Sequence, residues 1–266
     1  MSGVLAENIS YSYPGASAKV LDGVSFSAEC GKVTALIGAN GTGKSTLLKN
    51  MLGICHGDGR VCFSGRNRDE MSRKEQTRMV GYMTQETPLL SSLSVLDVVL
   101  LGRMETLRLK VDSEDLERAW SILSLLHMEQ LADRPFYALS GGQRRMVGIA
   151  QTIVREPQIL IMDEPTANLD MQKELEVLEL IRAYTEQKQI TTLLTLHDLN
   201  MAARYADYLV LLYGGKVYSS GEPETVLTEE TIRKTYGICA IVQNDPYGIP
   251  MIHPISSIQA QKYCFA

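Results

Sequence analysis

The sequence offers little that would tie the chain to nucleic acid, to an oxidising compartment or to the interior of a membrane. Basic residues do not dominate: 26 Lys and Arg stand against 31 Asp and Glu in 266 residues, for a formal net charge of -5. Binding to a phosphodiester backbone needs clustered positive charge. No such stripe is present, so no nucleic-acid partner is expected. The five cysteines, at positions 30, 55, 62, 239 and 264, have no CxxC spacing. This argues against a zinc site and a disulfide framework and fits a reducing compartment. Apolar runs such as Val95–Leu101 and Ile159–Met162 fall far short of the ~18 residues a membrane span requires. The N-terminal stretch MSGVLAENISYSYPG has no positive region followed by an apolar one, so no signal peptide is expected. These absences lead to the expectation of a soluble, cytoplasmic protein, held at a membrane only by a partner.

What is present is enough apolar material, 45% of residues, to bury a sizeable core. No Pro/Gly-rich linker, repeat or low-complexity tract divides the chain. Short β-type segments open it, at Val4–Tyr13, Val20–Ala28 and Val33–Ile37, with turns at Pro14-Gly15 and Cys30-Gly31. A helix is expected from Lys44, burying Leu47, Leu48, Met51 and Leu52. The middle third reads as helical, with Leu116, Trp120, Leu123 and Leu126 on one periodic face and Met146, Ile149, Ile153 and Val154 on another. Beyond Pro157, apolar runs (Ile159–Met162, Thr191–Leu196) alternate with helical spacing at Val177, Ile181 and Tyr184. That alternation predicts an α/β fold with a parallel sheet covered on both faces. The tail from about Ile238 reads as short strands and turns around Pro246, Pro250 and Pro254.

Gly38-Ala39-Asn40-Gly41-Thr42-Gly43-Lys44-Ser45 fits the GxxxxGK[ST] phosphate loop, placed between a β-run and a helix as its chemistry requires. Glycines let the backbone curl closely around phosphates, and the helix that follows adds its positive dipole end. Lys44 supplies a compact charge for the β and γ phosphates, and the Ser45 hydroxyl, next to Thr46, suits Mg2+. A second phosphate-type helix start lies downstream, at Leu139-Ser140-Gly141-Gly142-Gln143. Ser140 and Gln143 have capping-box spacing. Two glycines at the first helical positions cost roughly 1 kcal/mol each relative to alanine, which suggests that something must approach the backbone closely.

LSGGQ, after a phosphate loop and shortly before an apolar strand ending in Asp163-Glu164, resembles the ABC (ATP-binding cassette) ATPases. The resemblance covers nearly the whole chain. It implies a P-loop NTPase core of RecA-like type, with an antiparallel β subdomain and an inserted helical subdomain carrying LSGGQ. That is one nucleotide-binding domain over residues 1–266, with the helical part at approximately 86–156. It implies ATP and Mg2+ as cofactors and a homodimer in which Ser140, Gly141, Gly142 and Gln143 complete the ATP site of the opposite subunit.

Residue by residue, Asp163 looks like the Walker B carboxylate that holds Mg2+, and Glu164 like the residue that positions or deprotonates the attacking water. His197, ahead of the expected helix cap Asp198, resembles the switch histidine that contacts the γ-phosphate. Gln85 resembles the glutamine that touches Mg2+ and links the site to the helical region. Asn168-Leu169-Asp170 resembles the loop that crosses the dimer interface. Tyr13 resembles the aromatic that stacks on adenine, with Tyr11 on the same strand face as a competitor.

Without a membrane span of its own, such a subunit is expected to work with separate integral-membrane permease subunits and a substrate-binding protein, at the cytoplasmic face of the cell membrane. The stretch from Gln85 to about Arg103 is expected to form the docking groove for a permease helix. Ser94–Arg103 and the tail Tyr236-Gly237-Ile238…Val242 are similar to the importers of iron-siderophore complexes, haem and cobalamin. The alternatives are an exporter, another metabolite importer, a non-transport ABC ATPase acting in DNA repair or on the ribosome, or a nucleotide-binding regulator without turnover.

Overall fold

The computed structural model describes residues 2–16, 18–84, 92–103 and 111–258. The chain opens with β1 (Ser2–Tyr11), β2 (Leu21–Glu29) and β3 (Val33–Ile37), followed by α1 (Lys44–Met51), β4 (Asp58–Phe63), β5 (Arg66–Asn67), α2 (Arg73–Met79) and β6 (Val80–Met83). Three helices come next: α3 (Val95–Leu101), α4 (Ser113–Leu125) and α5 (Gly141–Ile153). The chain then alternates through β7 (Ile159–Met162), α6 (Met171–Lys188), β8 (Thr191–Thr195), α7 (Leu199–Tyr205) and β9 (Tyr208–Tyr213). It closes with β10 (Lys216–Gly221), α8 (Pro223–Val226), α9 (Glu229–Tyr236), β11 (Ile238–Asn244) and β12 (Pro250–Ser257).

A six-stranded sheet in the order β10-β9-β3-β8-β7-β6 runs through the middle, and all its pairings are parallel except that of β10 with β9. Beside it lies an antiparallel sheet in the order β2-β1-β4-β5. The parallel strands are largely apolar because both faces are covered, with Thr34 of β3 and Thr191, Thr192 and Thr195 of β8 as buried polar exceptions. Ile159, Ile161, Leu36 and Leu193 face a cluster that includes Leu47, Leu48 and Met51 of α1 and Val4, Ala6 and Phe63 of the antiparallel sheet. Their neighbours Leu160, Met162, Ala35, Ile37 and Leu194 face a second, larger cluster built from α3 to α7. The period of two along each strand thus splits one hydrophobic run between two cores.

The expected strands and helices are present with small shifts at their ends. β1 stops at Tyr11, so Tyr13 lies beyond the strand, in the turn made with Pro14 and Gly15. Leu47, Leu48 and Met51 are fully buried as the spacing predicts, while Leu52 sits half-buried at the end of α1. Of the face expected around α4, Leu123 and Leu126 are buried, and the first half differs. Leu116 and Trp120 are 36% and 41% exposed, and the buried positions are Asp115, Ala119 and Leu123. In that first half Asp115 takes the inward position and pairs with Arg103, two residues past α3, as a buried carboxylate needs such a partner. Among the described residues no helix is long and apolar enough to cross a membrane.

Candidate nucleotide site

The phosphate loop leaves β3 at the carboxyl edge of the parallel sheet, where α/β folds gather their ligands. At Gly38, φ is +146°, and a Cβ there would fall 2.5 Å from the Leu212 carbonyl oxygen, so only glycine fits. Gly43 takes the N-cap position of α1 in the left-handed region, with no side-chain cap. The first N–H groups of that helix are therefore left for a ligand. Lys44, 7% exposed, folds back over the loop and donates from Nζ to the carbonyls of Gly38 at 2.7 Å and Ala39 at 3.2 Å. Burial pushes its ammonium below the ordinary lysine range, and the carboxylates of Glu164 and Asp163 oppose that shift. Thr42 Oγ1 donates to the Ala39 carbonyl at 2.9 Å, closing the loop on itself.

A cavity of about 570 Å3 opens over this loop, lined by Tyr13, Asn40, Gly41, Gly43, Lys44, Ser45, Thr46, Glu164 and His197 among others. The Tyr13 hydroxyl and Thr46 Oγ1 lie 2.9 Å apart, and Tyr11 packs edge-on against the Tyr13 ring with centroids 5.1 Å apart. Tyr13 lines the cavity and Tyr11 does not, so of the two tyrosines Tyr13 is the one presented to a ligand.

Asp163 and Glu164 follow β7 directly, and their surroundings differ. Asp163 is 1% exposed, and its Oδ1 accepts from Thr195 Oγ1 at 2.8 Å. The same Thr195 oxygen accepts from the Glu164 N–H at 2.7 Å. Glu164 has φ of +53°, a left-handed conformation uncommon outside glycine, and its Oε1 lies 2.5 Å from Nε2 of His197. Arg145 holds this bend in place. Rising from α5, its guanidinium donates to the carbonyls of Thr84 at 3.1 Å and Asp163 at 2.6 Å, and also to those of Glu164 and Pro165.

Reading the sequence missed both Arg145 and Thr195. Each carried a signal: a charge on the buried face of an otherwise apolar helix stretch, and a polar residue ending an apolar strand. Ser45 and Asp163 offer a hydroxyl and a carboxylate, hard oxygen donors that suit Mg2+. Among the described residues no group of three or more His, Cys, Asp or Glu could hold a metal by itself. That donor set fits an ion completed by phosphate oxygens and water rather than caged by protein. Gln85, the other expected metal-site residue, lies outside the described residues, as does the first part of the expected docking stretch.

The second helix start is built differently. Ser140 accepts from the Gln143 N–H at 3.2 Å, and the Gln143 side chain accepts from the Ser140 N–H at 3.0 Å, a complete capping box. A Cβ on Gly141 would touch nothing within the chain, and one on Gly142 would come within 3.2 Å of Leu169. Ser140, Gly141, Gly142 and Gln143 line a separate cavity of about 640 Å3 with Asn168, Leu169, Asp170, His127 and Met128. Asp170 caps α6 by accepting from the Lys173 N–H at 2.9 Å. The two cavities share no lining residue.

A strand–glycine loop–helix with an inward lysine, at the edge of a parallel sheet beside two carboxylates, defines a P-loop nucleotide-binding protein. Comparison with known proteins narrows this class. The family model described as "ABC transporter" matches residues 21–167. The ferric enterobactin transport ATP-binding protein FepC of Escherichia coli (strain K12) is 34% identical over 85% of this chain and 84% of its own length. The hemin import ATP-binding protein HmuV of Escherichia coli O157:H7 is 33% identical over 91% of this chain and 95% of its own. Among solved structures, the dimeric post-hydrolysis state of the ATP-binding cassette MJ0796, bound to ADP and Pi, superposes with a TM-score of 0.75. It is 25% identical and covers 83% of this chain and 98% of its own. The chain belongs to the ABC transporter family, as an ATP-binding, ATP-hydrolysing subunit.

Proposed function

We propose that this subunit drives import of an iron chelate (a siderophore complex or haem) or cobalamin, as a homodimer docked on separate permease subunits with a substrate-binding protein delivering the cargo. The reading places it peripherally at the cytoplasmic face of the cell membrane. Residues 1–266 then form one cassette with its helical part at about 86–156. The siderophore and haemin relatives support the iron-chelate cargo.

The observation that carries the mechanism is the separation of the two cavities. One chain holds a glycine loop with uncapped N–H groups on one surface and a glycine-opened helix start on another. A second copy would bring its Ser140–Gln143 segment over the first copy's phosphate loop. Two nucleotides would be enclosed, and Asp170 would cross the interface.

In this site Gly38, Ala39, Asn40, Gly41, Thr42, Gly43, Ser45 and Thr46 wrap the phosphates with backbone and hydroxyl groups, and Tyr13 stacks on the base. Lys44 is held over the loop by two carbonyls and exchanges them for phosphate oxygens when nucleotide enters. Ser45, Asp163 and Gln85 would hold Mg2+, and the ion would supply positive charge to offset that of the phosphates. Glu164 takes the proton of the attacking water, and His197, within hydrogen-bonding distance of Glu164, orients that carboxylate towards the γ-phosphate. ATP favours the closed dimer and hydrolysis removes the preference, which converts turnover into motion of the permease.

The test is gentle detergent extraction of the source membranes, capture on this chain and identification of what accompanies it. A polytopic permease is the expected companion, and loss of labelled ferric-chelate uptake in a deletion strain is the expected phenotype. Recovery of soluble, ribosomal or DNA-bound partners alone would overturn the transport role, and undiminished uptake of iron chelates and cobalamin would overturn the cargo.

A further inference from the structure

The C-terminal hairpin has no part in either cavity, yet it is fastened to the helix that follows His197. Asn200, in the first turn of α7, treats β12 as a neighbouring strand. Its Oδ1 accepts from the Ile252 N–H at 2.7 Å, and its Nδ2 donates to the Ile252 carbonyl at 3.3 Å. Ile252 itself is buried in the larger core. One turn on, Arg204 donates to Asp245 at 2.7 Å, in the turn between β11 and β12. That carboxylate also accepts from the N–H groups of Tyr247 at 2.8 Å and Ile249 at 3.0 Å. Both ends of α7 are thus tied to the hairpin.

At seven residues α7 is too short to hold itself in place by its own hydrogen bonds, so its position depends on what it is tied to. Its N-cap is Asp198, which accepts from the N–H groups of Asn200 at 2.7 Å and Met201 at 3.1 Å. The residue before Asp198 is His197. The His197 side chain is 46% exposed, so packing alone does not fix it. Its contact with Glu164 depends on the backbone either side of it: β8, anchored in the sheet, and α7, held along its length by the buried Ala202, Ala203 and Tyr205 and at its first turn, next to His197, by Asn200.

We propose that Asn200 is a positioning residue for hydrolysis, fastening α7 to the C-terminal hairpin and so holding His197 against Glu164. This rests on the reading of His197 and Glu164 as the hydrolytic pair. Removing the amide frees two hydrogen bonds at the root of α7, and the imidazole drifts from the carboxylate while the phosphate loop, on β3 and α1, stays as it was. The signature is a loss of turnover without loss of nucleotide affinity.

The experiment combines kinetics with the carbon-bound ring-proton NMR signals of the imidazoles, of which there are only four in the chain. The His197 signal is assigned by its loss in His197→Ala, and Glu164→Gln marks where it falls without its carboxylate partner. In Asn200→Ala the signal is expected to move towards that position. kcat is expected to fall about ten- to a hundredfold, with nucleotide affinity within about twofold of the parent. Arg204→Ala, which cuts the other tie and leaves the amide intact, is expected to move both readouts the same way by less. A His197 signal unmoved in both variants, alongside an inactive His197→Ala, overturns the role of Asn200 alone. Full turnover in His197→Ala overturns the hydrolytic reading of that residue and this proposal with it.

Discussion

Two of the helices open on glycines, and the difference between them underlies the proposal that one chain is half of a working site. At α1 the N-cap is Gly43, left-handed and without a side-chain cap, and Lys44 spends its donors on the loop's own carbonyls. At α5 the N-cap is Ser140, and a reciprocal capping box satisfies the N–H groups of Gln143 and Ser140 from within the chain. The first arrangement has unmet donors and gains most from an anion. The second holds its backbone shape through its own cap and can meet a ligand as a preformed surface. On the proposed reading, nucleotide affinity belongs to α1, and closure on an already bound nucleotide belongs to α5.

The largest expected effect sharpens the chemical half of that division. Glu164→Gln keeps the shape but removes the base and the carboxylate that faces His197, so kcat should fall by about a hundredfold or more with nucleotide binding retained. Steady-state hydrolysis with a labelled nucleotide checks it, and full activity would remove Glu164 from the chemistry. Next, Lys44→Ala deletes the charge on the β and γ phosphates and should weaken ATP binding by about tenfold or more. Fluorescent-nucleotide titration measures this, and unchanged affinity would break the assignment of binding to α1.

Ser140→Ala opens the capping box on the other helix, at a cost of about 1 kcal/mol in helix stability. It should lower turnover while leaving single-chain nucleotide affinity unaltered. A loss of affinity comparable to that of Lys44→Ala would erase the distinction between the two helices. The smallest effect is expected from Tyr13→Ala. An aromatic stack of roughly 0.5–1.5 kcal/mol implies an affinity loss of a few-fold, with Tyr11→Ala milder because Tyr11 lies outside the cavity.

Much of this was legible before any coordinates. The phosphate loop, Asp163-Glu164 and LSGGQ are local patterns whose spacing follows from their chemistry. The apolar strands announced a sheet covered on both faces. What escaped was what depends on distant partners. Leu116 and Trp120 of α4 were misjudged as buried because Asp115 turns inward to Arg103, a pairing that no periodicity reveals. Arg145 and Thr195 hold the strained bend at Glu164, yet each touches it across many residues of sequence. The hold of the C-terminal hairpin on α7 was equally invisible, since Asn200 acts on the backbone of Ile252 and not on any motif.

The most direct test of the central claim is the mass in solution of the Glu164→Gln chain, by light scattering after size exclusion, with and without MgATP. Two half-sites that meet only between copies predict a shift from monomer to dimer when ATP is added, and the shift should be abolished by Ser140→Ala or Lys44→Ala. A chain that binds ATP to saturation and remains monomeric at all concentrations would contradict it.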